Sequence, residues 1–513
     1  MKNKFLQGTF ILLVTSLLLR GLGFVYQMLV VRLAGTEAVG ILNMSYPFYM
    51  MLVVLATAGM PVAIAKLTAE YVSRQREGQI GTMMTVAFRL VMVLVLCGLL
   101  GALFLLPRVF TLLDTEERVA RCFYVLVPGI AIVPFTSLMR GYFQGMQQML
   151  YPSLGQVAEQ VIRVASGLVL LRWVCPHDVI SLAMGLAAAA MIGELSGFLL
   201  LLIFYCRSRR KGKRKEKTRP GSGMLAKLLS LGLPTTFTRL TSTIDMAIEA
   251  SLVPFCLLSM GYNASQAAGI YGQFSGVAMS LLTIPTVLTG ALATALVPAI
   301  SEADASYQKS ALQRCCQQSI QITWAFSLPI ILILYLYGDG LCRLLFRIDG
   351  LGPMIKMLSF GAVFMYLGQT IVGILQGLGQ TRTVFFNNLW GSAAKLIGMY
   401  YCIRILGWGS NGIAGGMVLG YGLQCLCNLV ALMGQVPIRM SWKEMLLPVA
   451  GSFLMLWVIQ SCHWLLGNDY DVALLAALCA GGSVYVLWLF LTGQLQTMLG
   501  YGKKERGRKA DGI

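Results

Sequence analysis

Apolar blocks of about twenty residues or more follow one another along nearly the whole 513-residue chain, and nothing else narrows its fold so far. As helices, blocks of this length cross the roughly 30 Å of hydrocarbon in a bilayer. Only helices or closed barrels satisfy their backbone groups there, and the period-2 alternation of barrel strands does not occur in these blocks. Composition agrees: 57% of residues are hydrophobic and 12% charged, against about 25% charged in a soluble protein. The chain reads as an all-α integral membrane protein.

Apolar windows place about fourteen spans, near 9–32, 41–65, 82–106, 120–144, 152–174, 179–205, 225–258, 268–298, 318–338, 354–378, 384–406, 411–435, 445–466 and 471–493. The net charge is +19, and its placement sets the topology. With the N-terminus inside, inner segments collect about 26 of the 40 cations and outer ones about nine. An even span number returns the basic tail (Lys503, Lys504, Arg506, Arg508, Lys509) to the same side. Met1-Lys2-Asn3-Lys4 opens an uncleaved first span, because no small-residue cleavage site follows and apolar character continues to Val31. The expected location is the cell membrane, multi-pass, with both termini cytoplasmic.

The chain is also written twice. Gly141-Tyr142-Phe143-Gln144-Gly145 reappears as Gly373-Ile374-Leu375-Gln376-Gly377, an offset of 373 − 141 = 232 residues, which carries Arg163 onto Lys395. Gly40-Ile41 is paired with Gly269-Ile270, and Pro61 with Pro298. Six spans return each half to its starting side, so the repeat is parallel, with an axis along the membrane normal. The expected domains are an N-lobe at 1–205, a basic cytoplasmic linker at 206–224, a C-lobe at 225–436, a terminal helix pair at 445–493 and a basic tail at 494–513. Arg207 to Arg219 holds nine Lys or Arg and one Glu. This reads as a solvated linker against anionic membrane lipids. It lacks the aromatic interleaving of a nucleic-acid site, so no nucleic acid is expected.

Catalysis has little to work with. There is no Gly-x-x-x-x-Gly-Lys-Ser/Thr phosphate loop and no Ser/His/Asp or Cys/His set, and the two histidines, His177 and His463, lie near outer span ends. The thirteen cysteines sit mostly singly in apolar spans, without zinc or redox spacing. Not an enzyme, no cofactor and no metal is the expectation. Short loops leave no room for an extramembrane catalytic domain, so an ion gradient, the membrane potential or the substrate gradient must drive any transport.

The informative residues are ionisable groups inside spans, where a charge needs a partner, a wet cavity or a task. Ser16, Arg20 and Gln27 form one polar stripe on the first span, and Thr235, Arg239 and Ser242 a corresponding one on the seventh. Asp245 and Glu249, spaced i, i+4, form a second stripe with Thr238 and Thr241 and are candidate ion-coupling groups, as is Glu159. Glu159 and Arg163 stand i, i+4 and neutralise each other in part, with Glu194 near in the next span. Lys395 has Gly391 where Glu159 would be. Arg140, near a span end, reads as topogenic. Interhelical ion pairing accounts for many of these charges, less so for Arg20 and Arg239, whose stripes hold no acid. Arginine suits phosphate because its planar fork makes two parallel charge-assisted hydrogen bonds.

Arg20-Gly21-Leu22-Gly23-Phe24, Ala58-Gly59-Met60-Pro61 with Lys66-Leu67-Thr68-Ala69-Glu70-Tyr71, and the Gln-Gly turns at 144–145 and 376–377 resemble the polysaccharide-export flippases. These belong to the multidrug/oligosaccharidyl-lipid/polysaccharide exporter superfamily, and the resemblance is to its stage V sporulation protein B branch, over nearly the whole chain. It implies two six-helix lobes, alternating access, and movement of an undecaprenyl-pyrophosphate-linked oligosaccharide or peptidoglycan precursor from the inner to the outer leaflet. In the related murein lipid flippases the Arg of the Arg-x-x-Gly-Phe motif lines a central cavity, a role that passes to Arg20. Those proteins carry a second Arg where this chain has Tyr26, and another in the second span where it has Met51 or Leu52, which leaves room for a glycan lipid other than lipid II. The expected substrate-binding set is Arg20, Arg239, Lys395, Arg163, Gln27 and Tyr26. A monomer working beside cell-wall synthesis enzymes is the expected context. The alternative is a cation-coupled multidrug exporter of the same superfamily, with Asp245 and Glu249 as the ion and drug site.

Overall fold

The structure, a computed structural model, describes residues 2–76, 78–112, 117–174, 178–211, 223–286, 309–437, 442–465 and 470–494, with parts of 289–301. Every regular element among them is helical. In chain order these are α1 (Lys2–Thr57), α2 (Met60–Ser73), α3 (Gly78–Leu100), α4 (Leu106–Leu112), α5 (Glu117–Leu126), α6 (Pro128–Gly145), α7 (Leu150–Val169), α8 (Val179–Lys211) and α9 (Met224–Ser259). They continue as α10 (Ala264–Gly272), α11 (Met279–Thr283), α12 (Lys309–Phe346), α13 (Gly352–Gly377), α14 (Thr381–Tyr400), α15 (Ser410–Met433), α16 (Trp442–Leu465) and α17 (Tyr470–Leu491).

Among the described residues, ten helical runs are long and apolar enough to cross a membrane, or eleven if the bent pair α5 and α6, at 42°, is one span. The first run, Val14–Ser73, is 60 residues long and holds both of the first two expected spans. They are divided at Gly35, whose φ of 78° and ψ of 169° are open essentially to glycine alone. The expected span at 384–406 corresponds to α14, where Asn387, Asn388 and Lys395 dilute the apolar character. The expected span at 268–298 falls partly outside the described residues, as do most of the basic linker and nearly all of the tail.

The chain divides into two compact units, 1–277 and 278–513. In the first, α1 crosses α10 with almost no side chain between them. A Cβ on Gly40 would lie 2.0 Å from the Ala268 carbonyl oxygen, and one on Gly272 would lie 1.8 Å from that of Thr36. The contact is self-complementary, as at a two-fold axis. Asn43 Nδ2 donates to Ser275 Oγ at 2.9 Å across a separation of 232 residues, the repeat offset itself. The repeat counterpart of Gly40 is therefore Gly272 and not Gly269.

Local geometry in the two units repeats at the same offset. α6 ends in a paired turn in which Gln148 N–H donates to the Phe143 carbonyl and Gln147 N–H to that of Gln144; α13 ends identically with Gln380 to Leu375 and Gly379 to Gln376. The left-handed position is Gln147 (φ 58°) in one and Gly379 (φ 75°) in the other. Gly141 and Gly145 rest on Pro61 and Ala65 just as Gly373 and Gly377 rest on Ala293 and Val297. Pro61 thus corresponds to Ala293, whereas Pro298 lies outside the described residues. α7 and α14 both run into a wide π turn, Leu170–Val174 and Tyr401–Ile405, with Arg172 and Arg404 in matching places. In the second unit the α16–α17 pair is tied to α12, Tyr485 Oη donating to the Ala325 carbonyl at 2.6 Å and Trp324 Nε1 to that of Met445 at 3.3 Å.

Candidate functional site

Four charged side chains meet between α6, α7 and α8 of the first unit. Arg140 Nη2 donates to Glu159 Oε2 at 2.6 Å, and Arg163 Nη2 to Glu159 Oε1 at 2.8 Å and to Glu194 Oε1 at 3.2 Å. Glycines permit the meeting: a Cβ on Gly193 would lie 2.8 Å from Arg163 Cβ, and one on Gly197 3.1 Å from Glu159 Cβ. Two guanidiniums face two carboxylates, so the cluster is neutral and is paired within itself. Arg140, expected as a topogenic charge, is one of its members. Glu159, expected as an ion-coupling group, is held by two arginines at once.

Two expected substrate residues on α1 are engaged in packing. The Tyr26 ring lies on α7, where its Oη would be 2.2 Å from a Cβ on Gly167, and it neighbours Arg163. Gln27 Nε2 donates at 3.2 Å to the Gly276 carbonyl, in the π turn Gln273–Ala278 that follows α10. A π turn leaves its carbonyls poorly served, so a side-chain amide is a fitting donor.

Arg20 and Arg239 are both exposed, on α1 and α9. They are not at matching levels. Arg20 precedes the helix-ending Gly35 (φ 78°) by 35 − 20 = 15 residues, and Arg239 precedes Gly261 (φ 94°) by 261 − 239 = 22. At 1.5 Å per residue the two levels differ by about 10 Å. Around Arg239 the hydroxyls turn back on their own helix, Thr235 to Gly232, Thr238 to Pro234 and Ser242 to Thr238. Gly232 takes part in a close backbone approach, since a Cβ on Gly59 would lie 2.1 Å from its carbonyl oxygen. Farther along α9, Glu249 is 8% exposed, and Asp245 and Glu249 both neighbour Tyr271 of α10.

In the second unit Lys395 is buried on α14, and Gly420 of α15 packs on it, a Cβ there lying 2.5 Å from Lys395 Cβ. This repeats the packing of Gly193 on Arg163. Lys395 and Arg163 are thus equivalent in setting, although Gly391 replaces Glu159. Reading charges in the sequence passed over a group of amides here. Gln369, Asn388 and Gln424 line a cavity of about 340 Å3. Their signal was available, since an amide inside an apolar span needs a partner much as a charge does. Among the described residues no group of three His, Cys, Asp or Glu stands ready for a metal, and the described cysteines are free thiols.

Known proteins with this sequence pattern have a shared description. The chain is 27% identical over 495 residues to stage V sporulation protein B of Bacillus subtilis (strain 168), covering 96% of each chain. It is 23% identical over 539 residues to lipid II flippase MurJ of the same organism, covering 98% of this chain and 97% of that one. Its fold is similar to an inward-facing multidrug resistance MATE family transporter of the MOP superfamily, with a TM-score of 0.67 at 16% identity over 80% of this chain and 93% of the other. The family described as polysaccharide biosynthesis protein matches residues 5–304, more than half of the chain, and to that family the chain belongs.

Proposed function

We propose that this protein is a flippase, a transporter and not an enzyme, that carries an undecaprenyl-pyrophosphate-linked oligosaccharide or cell-wall precursor from the inner to the outer leaflet by alternating access. One observation carries the reading: the buried cations of α6 and α7 are balanced by Glu159 and Glu194, while Arg20 and Arg239 are exposed on α1 and α9. The exposed pair suits a diphosphate, and their difference in level matches an elongated headgroup better than a single point charge. Arg163 and Lys395 support the site from buried positions; Tyr26 and Gln27 position α1. The relation to a lipid II flippase supports the substrate class. Fourteen crossings, two parallel six-helix lobes at 1–205 and 225–436, a linker at 206–224, a terminal pair at 445–493 and cytoplasmic termini complete the reading. So do a monomeric state, contact with anionic lipids through the linker, and cell-wall synthesis enzymes as neighbours.

Depleting the protein and identifying the lipid-linked intermediate that accumulates on the inner leaflet tests this. Arg20→Ala should abolish complementation at normal expression, and intact complementation refutes its assignment. A second reading, a cation-coupled drug exporter, draws on the burial of Glu249 with Asp245 one turn away. Under that reading Asp245→Asn abolishes a drug resistance that the protein confers; if it confers none, the reading fails.

A further inference from the structure

The cavity in the second unit differs in chemistry from every charged site in the molecule. None of its lining residues is charged. Its polar side is a set of amides with fixed orientations. Thr289 Oγ1 donates to Gln369 Oε1 at 2.6 Å, which turns the Gln369 NH2 away as a donor. Gln424 Nε2 donates to Asn388 Oδ1, which leaves the Asn388 NH2 as a second donor and Gln424 Oε1 as an acceptor. Opposite lie Phe364 and Tyr421, with Gly368 leaving open space beside them. At about 340 Å3 the volume falls at the small end of ligand sites.

Ligand classes can be sorted by what such a lining satisfies. A phosphate would bring charge to a wall without a cation. An organic cation would find no carboxylate. A hydrocarbon tail would bury amides without partners, at a cost of about 1–3 kcal/mol each. A sugar ring fits: vicinal hydroxyls pair with an amide that donates beside one that accepts, and the C–H face lies on an aromatic ring. Lys395 also stands seven residues beyond Asn388, two turns along the same face of α14 and about 10 Å away.

We infer that this cavity, lined by Gln369, Asn388, Gln424, Phe364 and Tyr421, is a binding site for an uncharged sugar residue. The inference rests on the flippase reading for the source of that sugar, the glycan of a lipid carrier. The test uses the purified full-length protein in a detergent without sugar headgroups. Binding of undecaprenyl pyrophosphate is compared with that of the same lipid carrying N-acetylglucosamine or galactose, and saturation transfer to the free sugars is measured by NMR. Wild type binds a sugar-bearing lipid at least tenfold more tightly than the bare pyrophosphate. Gly368→Val, which fills the cavity, removes that difference and leaves bare-lipid binding unchanged; Gly368→Ala, whose Cβ finds its nearest neighbour at 3.7 Å, retains it. Should Gly368→Val fail to fold, Phe364→Ala takes its place, with the same expected loss. Equal binding of bare and sugar-bearing lipids by wild type overturns the inference and leaves the flippase reading intact. Binding of no lipid overturns the flippase reading. The cavity is then decided by free sugar: saturation transfer lost in Gly368→Val upholds a sugar site, and no transfer in wild type overturns it.

Discussion

Gly272→Ala isolates the crossing of α1 and α10, because a single methyl group there meets main chain. Its Cβ would lie 1.8 Å from the Thr36 carbonyl oxygen, where real contacts stay above 3.0 Å. The helices must part by at least 3.0 − 1.8 = 1.2 Å, since backbone has no rotamer to offer. That parting breaks the 2.9 Å bond from Asn43 to Ser275 and the 3.2 Å bond from Gln27 to Gly276. Overpacking costs about 1–3 kcal/mol, and interhelical hydrogen bonds in membranes about 0.6 kcal/mol each, so the loss is roughly 2–4 kcal/mol. At about 2–4 °C per kcal/mol for a unit of this size, the midpoint falls by roughly 5–15 °C. Thermal unfolding of the purified protein, read by a thiol-reactive dye, follows the exposure of buried Cys256 on α9 and Cys122 on α5. Gly269→Ala is the control: its nearest atom, Thr36 Oγ1, is 3.9 Å away, and alanine favours a helix, so stability holds or rises. Equal midpoints for the two variants would refute both the close crossing and the pairing of Gly40 with Gly272.

Glu159→Gln leaves two arginines facing one carboxylate, and breaking a buried pair costs about 3–5 kcal/mol. Adding Arg140→Gln should return part of that loss, and a double-mutant cycle with no coupling would remove the cluster's structural role. Arg239→Lys keeps the charge but not the planar fork; affinity for undecaprenyl pyrophosphate should drop about tenfold, and an unchanged affinity argues against phosphate at that residue. Gly35→Ala meets no atom within 4 Å yet forces φ 78°, so it should destabilise by about 1–3 kcal/mol through backbone strain alone. Gly21→Ala, also in open space but without a printed positive φ, should cost nothing measurable in the same melt.

Sequence reasoning reached the cations but misjudged what surrounds several of them. Glu159 with Arg163 was visible as an i, i+4 pair on one helix. Arg140, nineteen residues earlier, could not be assigned to the same pair, since only the packing of α6 on α7 brings it there. Arg20 and Arg239 looked equivalent because each interrupts an apolar run, yet the helix ends at Gly35 and Gly261 set them at different levels. The amides of the second unit were legible as polar residues in apolar segments, but their convergence depends on three helices meeting.

The sequence by itself determined the membrane class, the family, the repeat and its offset of 232 residues, because these rest on the cost of polar groups in hydrocarbon and on motifs that recur along the chain. Tertiary structure alone decided which residues correspond. Gly272 answers Gly40 and Ala293 answers Pro61, whereas identity of letters had chosen Gly269 and Pro298. The physical reason is that a crossing of helices preserves a distance between backbones. Any residue small enough at the point of contact meets that requirement, and an identical residue one turn away does not.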